Sequence, residues 1–481
     1  MLTTFVLYLI LLLVIGAIAT RRTQSTDDFL LAGRRLGPLA AALSSAATSM
    51  SGWLFMGLPG KVFQFGLSGA WVAIGCICGD YANWKLISTR LRERSGRLGA
   101  LTLPEFITSC QDDALSKLTR TIAGLGIVFF MTIYLWAQIV ATGKALSGPM
   151  EVGFDYETAV VVGSLVIIVY TTLGGFVAVV WTDVLQGGLI CLALVGLPLY
   201  CAAIVLNGGH LDLVLQHAPT ANPKGTMGDP WGGTVGLGIF LMLLNNLGVG
   251  AGYLGQPQMG ARFMALRHER DAKHARWISV TWTVLTSMGV VVIAMCAPVL
   301  LANMPHDPEQ VVLVTAKEYL PDWLSGILVA ALLAAVMSSA DSFLIAAVSS
   351  IQQDFPAWLR GIARSTLAGR IAVVGLGTLG MILALNTDLT RPEHSVLRIA
   401  EYAWAGLAIT LAVPIFYCLL VNAPKTGVVL TTITLGIGAM IIWHITGLAA
   451  DMYEVIPCFL WQGIVCWVTH KIASGQAAPR E

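Results

Sequence analysis

The sequence predicts an all-α polytopic membrane protein with about thirteen spanning helices. Three observations lead there. Apolar residues fill 56% of the 481 positions and charged residues only 11%, whereas a soluble domain is about a quarter charged. The charges sit in short clusters between apolar runs of about 20 residues, the length that crosses a hydrocarbon core as a helix. Lys and Arg alternate between the two ends of successive runs. In lipid every backbone polar group must be satisfied internally, which leaves helices or closed barrels, and runs this long are not barrel strands.

The first run, 2–20, has no basic residue ahead of it. Arg21 and Arg22 follow, with no small-residue cleavage pattern, so a retained helix is expected and not a cleaved signal. The next runs are 38–58, 69–89, 119–147, 157–176 and 184–206. After them come 232–255, 276–302, 322–350, 369–387, 395–421, 426–446 and 453–471. With the odd-numbered connections and the C-tail taken as cytoplasmic, 22 of the 28 basic residues fall on that side, including Arg34, Arg92, Arg262, Arg270 and Lys425. Six fall on the other: Lys61, Lys144, Lys224, Lys317, Arg391 and Arg398. One helix more or fewer would scramble that bias, so it tests the span count and the orientation together. The expected location is a bacterial inner membrane, with the N-terminus outside and the C-terminus cytoplasmic. The longest connections, near 91–118, 207–231 and 303–321, are too short for a soluble domain, so activity must reside in the membrane helices.

Several classes are disfavoured. A net charge of +1 with no basic stripe gives no support for nucleic-acid binding. Most cysteines, Cys76 and Cys78 among them, lie inside apolar runs without disulfide or metal spacing. His210, His217, His306 and His394 lie in outer loops, His268 and His274 in an inner one, and His444 alone in a helix. None shares a metal-site spacing with a helix carboxylate, so no enzyme is expected. A channel would want rings of charge or carbonyls around a pore. No obligate protein partner is evident; the expected partners are the bilayer and a small solute.

Two spans are irregular. The second reads Leu43-Ser-Ser-Ala-Ala-Thr-Ser-Met-Ser-Gly-Trp53, a small and polar stretch inside a lipid-embedded run. The seventh reads Asn245-Asn-Leu-Gly-Val-Gly-Ala-Gly-Tyr-Leu-Gly-Gln-Pro257, where each interior Gly costs a helix about 1 kcal/mol relative to Ala. Unwound backbone persists at membrane depth only where it lines a cavity or is covered by protein. Glycine-mediated close packing of helices explains one such stretch as well. Two of them, five helices apart, point to an inverted-repeat carrier.

The residues around these stretches resemble the sodium/solute symporter family, and within it the bacterial proline-transporting branch. The runs that carry the resemblance are Met50-Ser-Gly-Trp-Leu-Phe-Met-Gly-Leu-Pro-Gly60, Asn83-Trp-Lys85, Tyr170-Thr-Thr-Leu-Gly-Gly-Phe176, Trp181-Thr-Asp-Val-Leu-Gln186, Gly252-Tyr-Leu-Gly-Gln-Pro257, Ala261-Arg-Phe-Met264, Ala334-Ala-Val-Met-Ser-Ser339 and Tyr402-Ala-Trp-Ala-Gly406. They extend in order from the second span to the eleventh. The resemblance implies a leucine-transporter-type fold of two inverted five-helix repeats. These would occupy 38–206 and 207–421, preceded by a first helix and loop at 1–37 and followed by two peripheral helices and a tail at 422–481. It also implies sodium-coupled symport of a small solute, such as an amino acid, by alternating access.

Carried over position by position, the resemblance places a sodium ion on the backbone carbonyls of Ala47, Met50 and Ala335 and the hydroxyls of Ser338 and Ser339. Taken singly, such hydroxyls would simply bond back to their own helix. Asp341, one turn after Ser338, is a mid-membrane carboxylate and so a functional candidate. Asp183, Asp341 and Ser342 are the expected second cation site or exit path, although Asp183 also suits the N-terminus of a helix, near the cytoplasmic start of the sixth span. The solute site would lie among Ser49, Ser51, Trp53, Tyr134, Gln138, Val249, Tyr253, Pro257 and Trp404, an aromatic pocket with a few polar groups.

Two departures matter. Proline-transporting members carry an aspartate where this chain has Ser49, and a tryptophan where it has Val249. The first leaves proton coupling through Asp341 or Glu401 as an alternative to sodium. The second enlarges or reshapes the pocket, so a larger amino acid or another small organic solute competes with proline. Glu401 stands where those members have a small uncharged residue, and Arg398, three positions earlier, is its expected ion-pair partner. A transport-like sensor module remains the other reading of such a chain.

Overall fold

Helices open where the sequence supplies caps. The side chains of Asp113, Asp155, Ser365 and Ser395 each accept a backbone N–H three residues on, satisfying donors that a helix start leaves free. The computed structural model describes residues 30–109, 113–148, 154–221, 225–356, 365–450 and 452–475, with positions 8, 10, 11, 14, 15 and 18. Apart from one isolated bridge between Leu36 and Leu266, the regular structure among them is helical. The expected first span, 2–20, lies for the most part outside the described residues, as does the N-terminal orientation; Tyr8 within it is buried, its hydroxyl accepting from Gln186 Nε2 at 2.9 Å.

The principal helices are α1 (Pro38–Phe55), α2 (Gly57–Phe65), α3 (Trp71–Asn83), α4 (Ala114–Ser147), α5 (Tyr156–Asn207), α6 (Leu237–Gly248), α7 (Pro257–Ala265), α8 (Asp271–Leu300), α9 (Asp322–Gln353), α10 (Thr366–Leu385), α11 (Val396–Leu420), α12 (Thr426–Ile445) and α13 (Val455–Gly475). Among the described residues nine helices are long and apolar enough to span, or ten when the bent pair α1/α2 is counted as one. The count of thirteen is not reached. Beyond the first run, α3 has only 13 residues before a π-helical turn, Trp84–Ser88, carries it toward the polar helix Thr89–Leu98. The fifth run amounts to 14 apolar residues, Tyr156–Val169.

One expected connection is corrected. Residues 177–183, read as a loop between the fifth and sixth spans, are helical. α5 passes through them with a kink at Gly175 (φ 62°, ψ −179°), a backbone conformation that glycine adopts without steric penalty. Asp183 therefore lies inside a helix and not at its start.

α9 forms the axis, with 94% of its apolar window buried, and packs on α4, α5 and α1. α11 lies against α4, and α8 against α5 and α1. α10, α12 and α13 keep most of their surface outward, with large exposed side chains such as Ile371, Ile442 and Trp467. Such a face suits lipid, which does not penalise apolar exposure. At the expected outer end, Lys144 of α4 contacts Asp307 at 2.7 Å and Glu309 at 2.6 Å. The Glu309 carboxylate also accepts the backbone N–H groups of Val396 (3.1 Å) and Leu397 (3.0 Å). One buried acid thus binds α4 to the start of α11. Breaking such a pair from one side costs about 3–5 kcal/mol because the other charge stays buried. Glu309→Ala is expected to lower the thermal unfolding midpoint of the detergent-purified protein far more than Glu393→Ala on the exposed outer loop; equal midpoints would remove this role.

Candidate ion and solute site

The first interruption falls near the C-terminal end of the stretch Leu43–Trp53. α1 stays helical through Met50. Its backbone leaves the helical region at Ser51 (φ 40°, ψ −167°) and again at Met56 (φ −122°, ψ −62°), before α2 departs at 47°. The small polar residues of 44–49 do not break the helix because their side chains bond sideways or back: Ser49 Oγ donates to the Ala46 carbonyl at 3.0 Å. α4 then serves the groups that the break frees. Gly52 N–H donates to Gln138 Oε1 at 2.8 Å, and the Ser51 hydroxyl pairs with that of Tyr134 at 3.3 Å.

The second interruption is longer. α6 ends at Gly248, Val249–Gly255 tightens into a 3-10 helix, and Gln256 is extended before Pro257 starts α7. Trp404 of α11 donates its indole N–H to the Val249 carbonyl at 3.1 Å. The Gln256 side chain donates to the Gly252 carbonyl at 2.9 Å and to that of Trp404 at 3.2 Å. A Cβ on Gly252 would stand 2.0 Å from the Trp404 ring nitrogen, so the absence of a side chain there sets the position of that ring.

The five residues of the expected main ion site are all buried, and four of them meet. Ser338 Oγ lies 3.3 Å from the Ala47 carbonyl and 3.2 Å from that of Ala335. Ser339 Oγ lies 2.9 Å from the same Ala335 carbonyl and 3.1 Å from that of Thr48. Hydroxyls and carbonyls of α1 and α9 thus converge on one spot. Met50 stands at the last helical position before the break, and its side-chain sulfur, 3.9 Å from the Tyr253 hydroxyl, is the contact that ties it to the second interruption.

Beneath this spot lies a charged cluster that the sequence only half revealed. Asp183 Oδ2 accepts from Ser44 Oγ at 2.6 Å and from Arg262 Nη2 at 3.1 Å. Arg262 also reaches Ser342 Oγ (2.6 Å), Ser44 Oγ (2.9 Å) and Thr48 Oγ1 (3.1 Å), and its exposure is 1%. Sequence counting placed Arg262 among the cytoplasmic basic residues; it is a buried partner of Asp183. Asp341 is within 3.4 Å of Ser342 Oγ through Oδ1, while its Oδ2 meets no partner. Ser44, Thr48 and Arg262 went unread. The signal available was the i, i+4 spacing of Ser44 and Thr48, which puts both hydroxyls on one face of α1.

The expected solute residues divide. Trp53, Tyr134, Val249 and Trp404 line one pocket, together with Val72, Leu397, Ala400 and Glu401. Tyr253 packs edge-on behind Trp404, with ring centroids 4.9 Å apart. Ser51 and Gln138 serve the broken backbone. Ser49 faces its own helix and accepts the Trp53 indole N–H on its carbonyl at 3.3 Å. Pro257 does not join the aromatic pocket: it lines a cavity on the Arg262 side, with Thr102, Ser342 and Ser350, because the extended Gln256 turns α7 away from that pocket. Glu401 meets Arg398 Nη1 at 3.4 Å, and it borders both the aromatic pocket and an outer cavity of about 580 Å³ shared with His394, His444 and Glu454.

The model of the sodium:solute symporter family matches residues 29–448. The chain is 35% identical over 476 residues to the sodium/proline symporter of Escherichia coli (strain K12), covering 96% of this chain and 91% of that one. It is 33% identical over 456 residues to a high-affinity proline transporter of Bacillus subtilis (strain 168), covering 93% of each. A sodium-coupled sialic acid symporter, solved substrate-bound and outward-open, is similar in fold at a TM-score of 0.74 and 18% identity, over 99% of this chain and 97% of that one. The chain thus belongs to the sodium:solute symporter family, a multi-pass membrane protein of leucine-transporter fold that couples the movement of a small solute to sodium.

Proposed function

We propose that the chain takes up proline, or a somewhat larger relative, across a bacterial inner membrane by alternating access. The observation that carries this reading is the convergence of the Ser338 and Ser339 hydroxyls on the Ala47 and Thr48 carbonyls beside an interrupted helix. A desolvated sodium ion needs such oxygens, and in this reading it draws on the carbonyls of Ala47, Met50 and Ala335 with the two hydroxyls. The proline-transporting relatives support the solute class. Val249, in place of a larger side chain, favours extra bulk at the aromatic wall.

Asp183, Asp341 and Ser342 form the second cation site or exit path in this reading. Arg262 neutralises one of the two acids by ion pairing, and the bare oxygen of Asp341 is left for a cation. The cavity that includes Arg262 and Ser342 lies next to this cluster, so an ion leaving inward passes the arginine. Arg262, held at once to Asp183, Ser44, Thr48 and Ser342, is then the latch of the cytoplasmic side. The excess of basic residues supports an outer N-terminus and a cytoplasmic C-terminus. The two interruptions support repeats at 38–206 and 207–421. One charge moving inward through 100 mV supplies about 2.3 kcal/mol, enough for about fiftyfold accumulation.

Labelled proline uptake into proteoliposomes, with sodium and proton gradients imposed separately, is expected to follow the sodium gradient. Accumulation driven by the proton gradient alone would overturn the assignment of sodium. Ser338→Ala should raise the sodium concentration for half-maximal uptake by about tenfold while leaving the proline KM at saturating sodium within a few-fold; unchanged sodium dependence would remove Ser338 from the site. Gly252→Ala should displace Trp404 and weaken equilibrium proline binding by at least about tenfold, with normal membrane insertion. Arg262→Lys keeps the charge but not the four-way reach, so it should slow net uptake more than solute–solute exchange; equal slowing of both would argue against a latch.

A further inference from the structure

Asp80 takes no part in the sites described above. It sits in mid-α3 with 0% exposure. Its Oδ2 accepts from Ser279 Oγ at 2.8 Å and from Thr283 Oγ1 at 3.2 Å, two hydroxyls one turn apart on α8. Thr286, the next hydroxyl along, instead bonds back to the Trp282 carbonyl at 2.9 Å, as polar residues in helices commonly do. Ser279 and Thr283 are thus turned toward the acid. The other oxygen, Oδ1, meets no partner.

Among the described residues no base neutralises this group. Lys85, further along the same chain segment, and Arg276 on α8 stand over the ring of Tyr81, 5.5 and 5.2 Å from its centroid, and neither pairs with Asp80. The remaining titratable groups that face it are Cys76 one turn earlier on α3 and Tyr253 from the 3-10 segment; Trp84 follows one turn later. An isolated charge in such a place is strongly disfavoured, and a carboxylate there takes up a cation. The surroundings favour a proton. Ser279 and Thr283 bring two hydroxyls, both to Oδ2, and the buried Trp84 indole N–H, a donor with no other partner, faces the same carboxyl. A metal ion would need several further oxygens there, whereas a proton needs one carboxyl oxygen.

The position also ties the group to transport. α3 is pressed against the second interruption so closely that a Cβ on Gly79, the neighbour of Asp80, would stand 2.2 Å from the Gly250 carbonyl. Movement of the segment Val249–Gly255, which carries a wall of the solute pocket, must therefore move α3 against α8 or against itself. We propose that Asp80, with Ser279 and Thr283, is a proton-binding site that loads and unloads during the transport cycle, in addition to the sodium site. Loading forms an O–H bond at Oδ1 with a proton given up by water or hydronium on the side to which the site opens; unloading returns it, and no electrons change hands. This rests on the reading of the chain as a sodium-driven carrier of proline.

The test is sodium-driven uptake of labelled proline by the full chain in proteoliposomes across a pH series, with a trapped pH-sensitive dye reporting proton movement. The wild type comes first: absence of sodium-driven uptake would sink the carrier reading itself, whatever Asp80 does. Given uptake, the wild-type rate should change at least about threefold across the series, with dye-reported proton movement that requires proline. Asp80→Asn mimics the loaded acid and should keep sodium-dependent proline binding while losing both effects. Where Asp80→Asn does not fold, Ser279→Ala with Thr283→Val keeps the acid and should move the midpoint of the pH profile by about one unit. A wild-type pH profile and proton signal in the variant that folds would overturn the proposal. So would a change in sodium affinity alone, which would make Asp80 a sodium ligand.

Discussion

A helix interrupted inside lipid leaves backbone N–H and C=O groups that water cannot reach, and the architecture of this carrier turns on what replaces the lost partners. At the first interruption the replacements are side chains of α4: Gln138 takes the Gly52 N–H, and Tyr134 meets Ser51. At the second they are Trp404 and Gln256, which take the carbonyls of Val249 and Gly252. Each unsatisfied group would cost several kcal/mol in hydrocarbon, so these side chains are committed before any solute arrives. That commitment explains why some polar residues near the pocket do not point into it. It also explains why the pocket wall consists of rings, which can donate one polar bond to the frame and still present a face to a ligand.

The geometry of the proposed ion site follows from the same constraint. Serines in a helix interior ordinarily bond to the carbonyl a turn earlier, and Ser338 and Ser339 do so with Ala335. Each also faces a carbonyl of α1, so an oxygen cage exists where two helices touch. Closing that contact requires small residues, and α1 supplies Ala46, Ala47, Thr48 and Ser49 in a row, all buried. The first part of the polar, small-residue stretch Leu43–Trp53 stays helical and is the surface that lets α9 approach. The break itself comes just after it, at Ser51.

What the sequence made legible depended on how far apart the interacting residues lie. Span positions, the presence of two interruptions and the seam between the second and ninth spans could be read because apolar length, glycine content and family motifs are local. The exact break at Ser51 could not, since it depends on Gln138 waiting on another helix. Arg262 was read as a loop charge because it shares its neighbourhood with Arg267 and Arg270, and only the turn at Gln256 reveals that it points inward. Pro257 was placed in the solute pocket on sequence proximity to Tyr253, yet one extended residue between them is enough to turn its helix toward another cavity. Asp183 seemed to start a helix because the sixth run was read from 184; the kink at Gly175 absorbs the change of direction and α5 continues. Asp80 carried a signal that went unused: a lone acid in an apolar run ten residues before the basic cluster that opens at Arg90 has no local reason to be there.

The buried acids of the described residues separate into two kinds. Asp183, Asp271, Glu309, Asp354 and Glu401 each have an arginine or lysine within 4 Å, and Glu454 has His444. The first five have a permanent counter-charge beside them, which Asp183 shares with the proposed exit path through Arg262. Asp80 and Asp341 have no such base. Static neutralisation by a basic side chain would have been the simpler arrangement if these two acids were only structural, since a buried carboxylate with a permanent partner costs less than one without. Both instead sit at seams between helices, Asp341 where α9 meets α1 and α5, Asp80 where α3 meets α8; each has a bare oxygen, as Asp183 and Asp354 also do, but only these two lack a basic partner. A negative charge compensated only by a mobile cation makes the preferred packing of its seam depend on whether that cation is present. The 3-10 segment packs on α3 and touches Met50 of α1 through Tyr253, so occupancy of one seam and closure of the other can be linked through it, which is the physical requirement for coupling an ion to a solute.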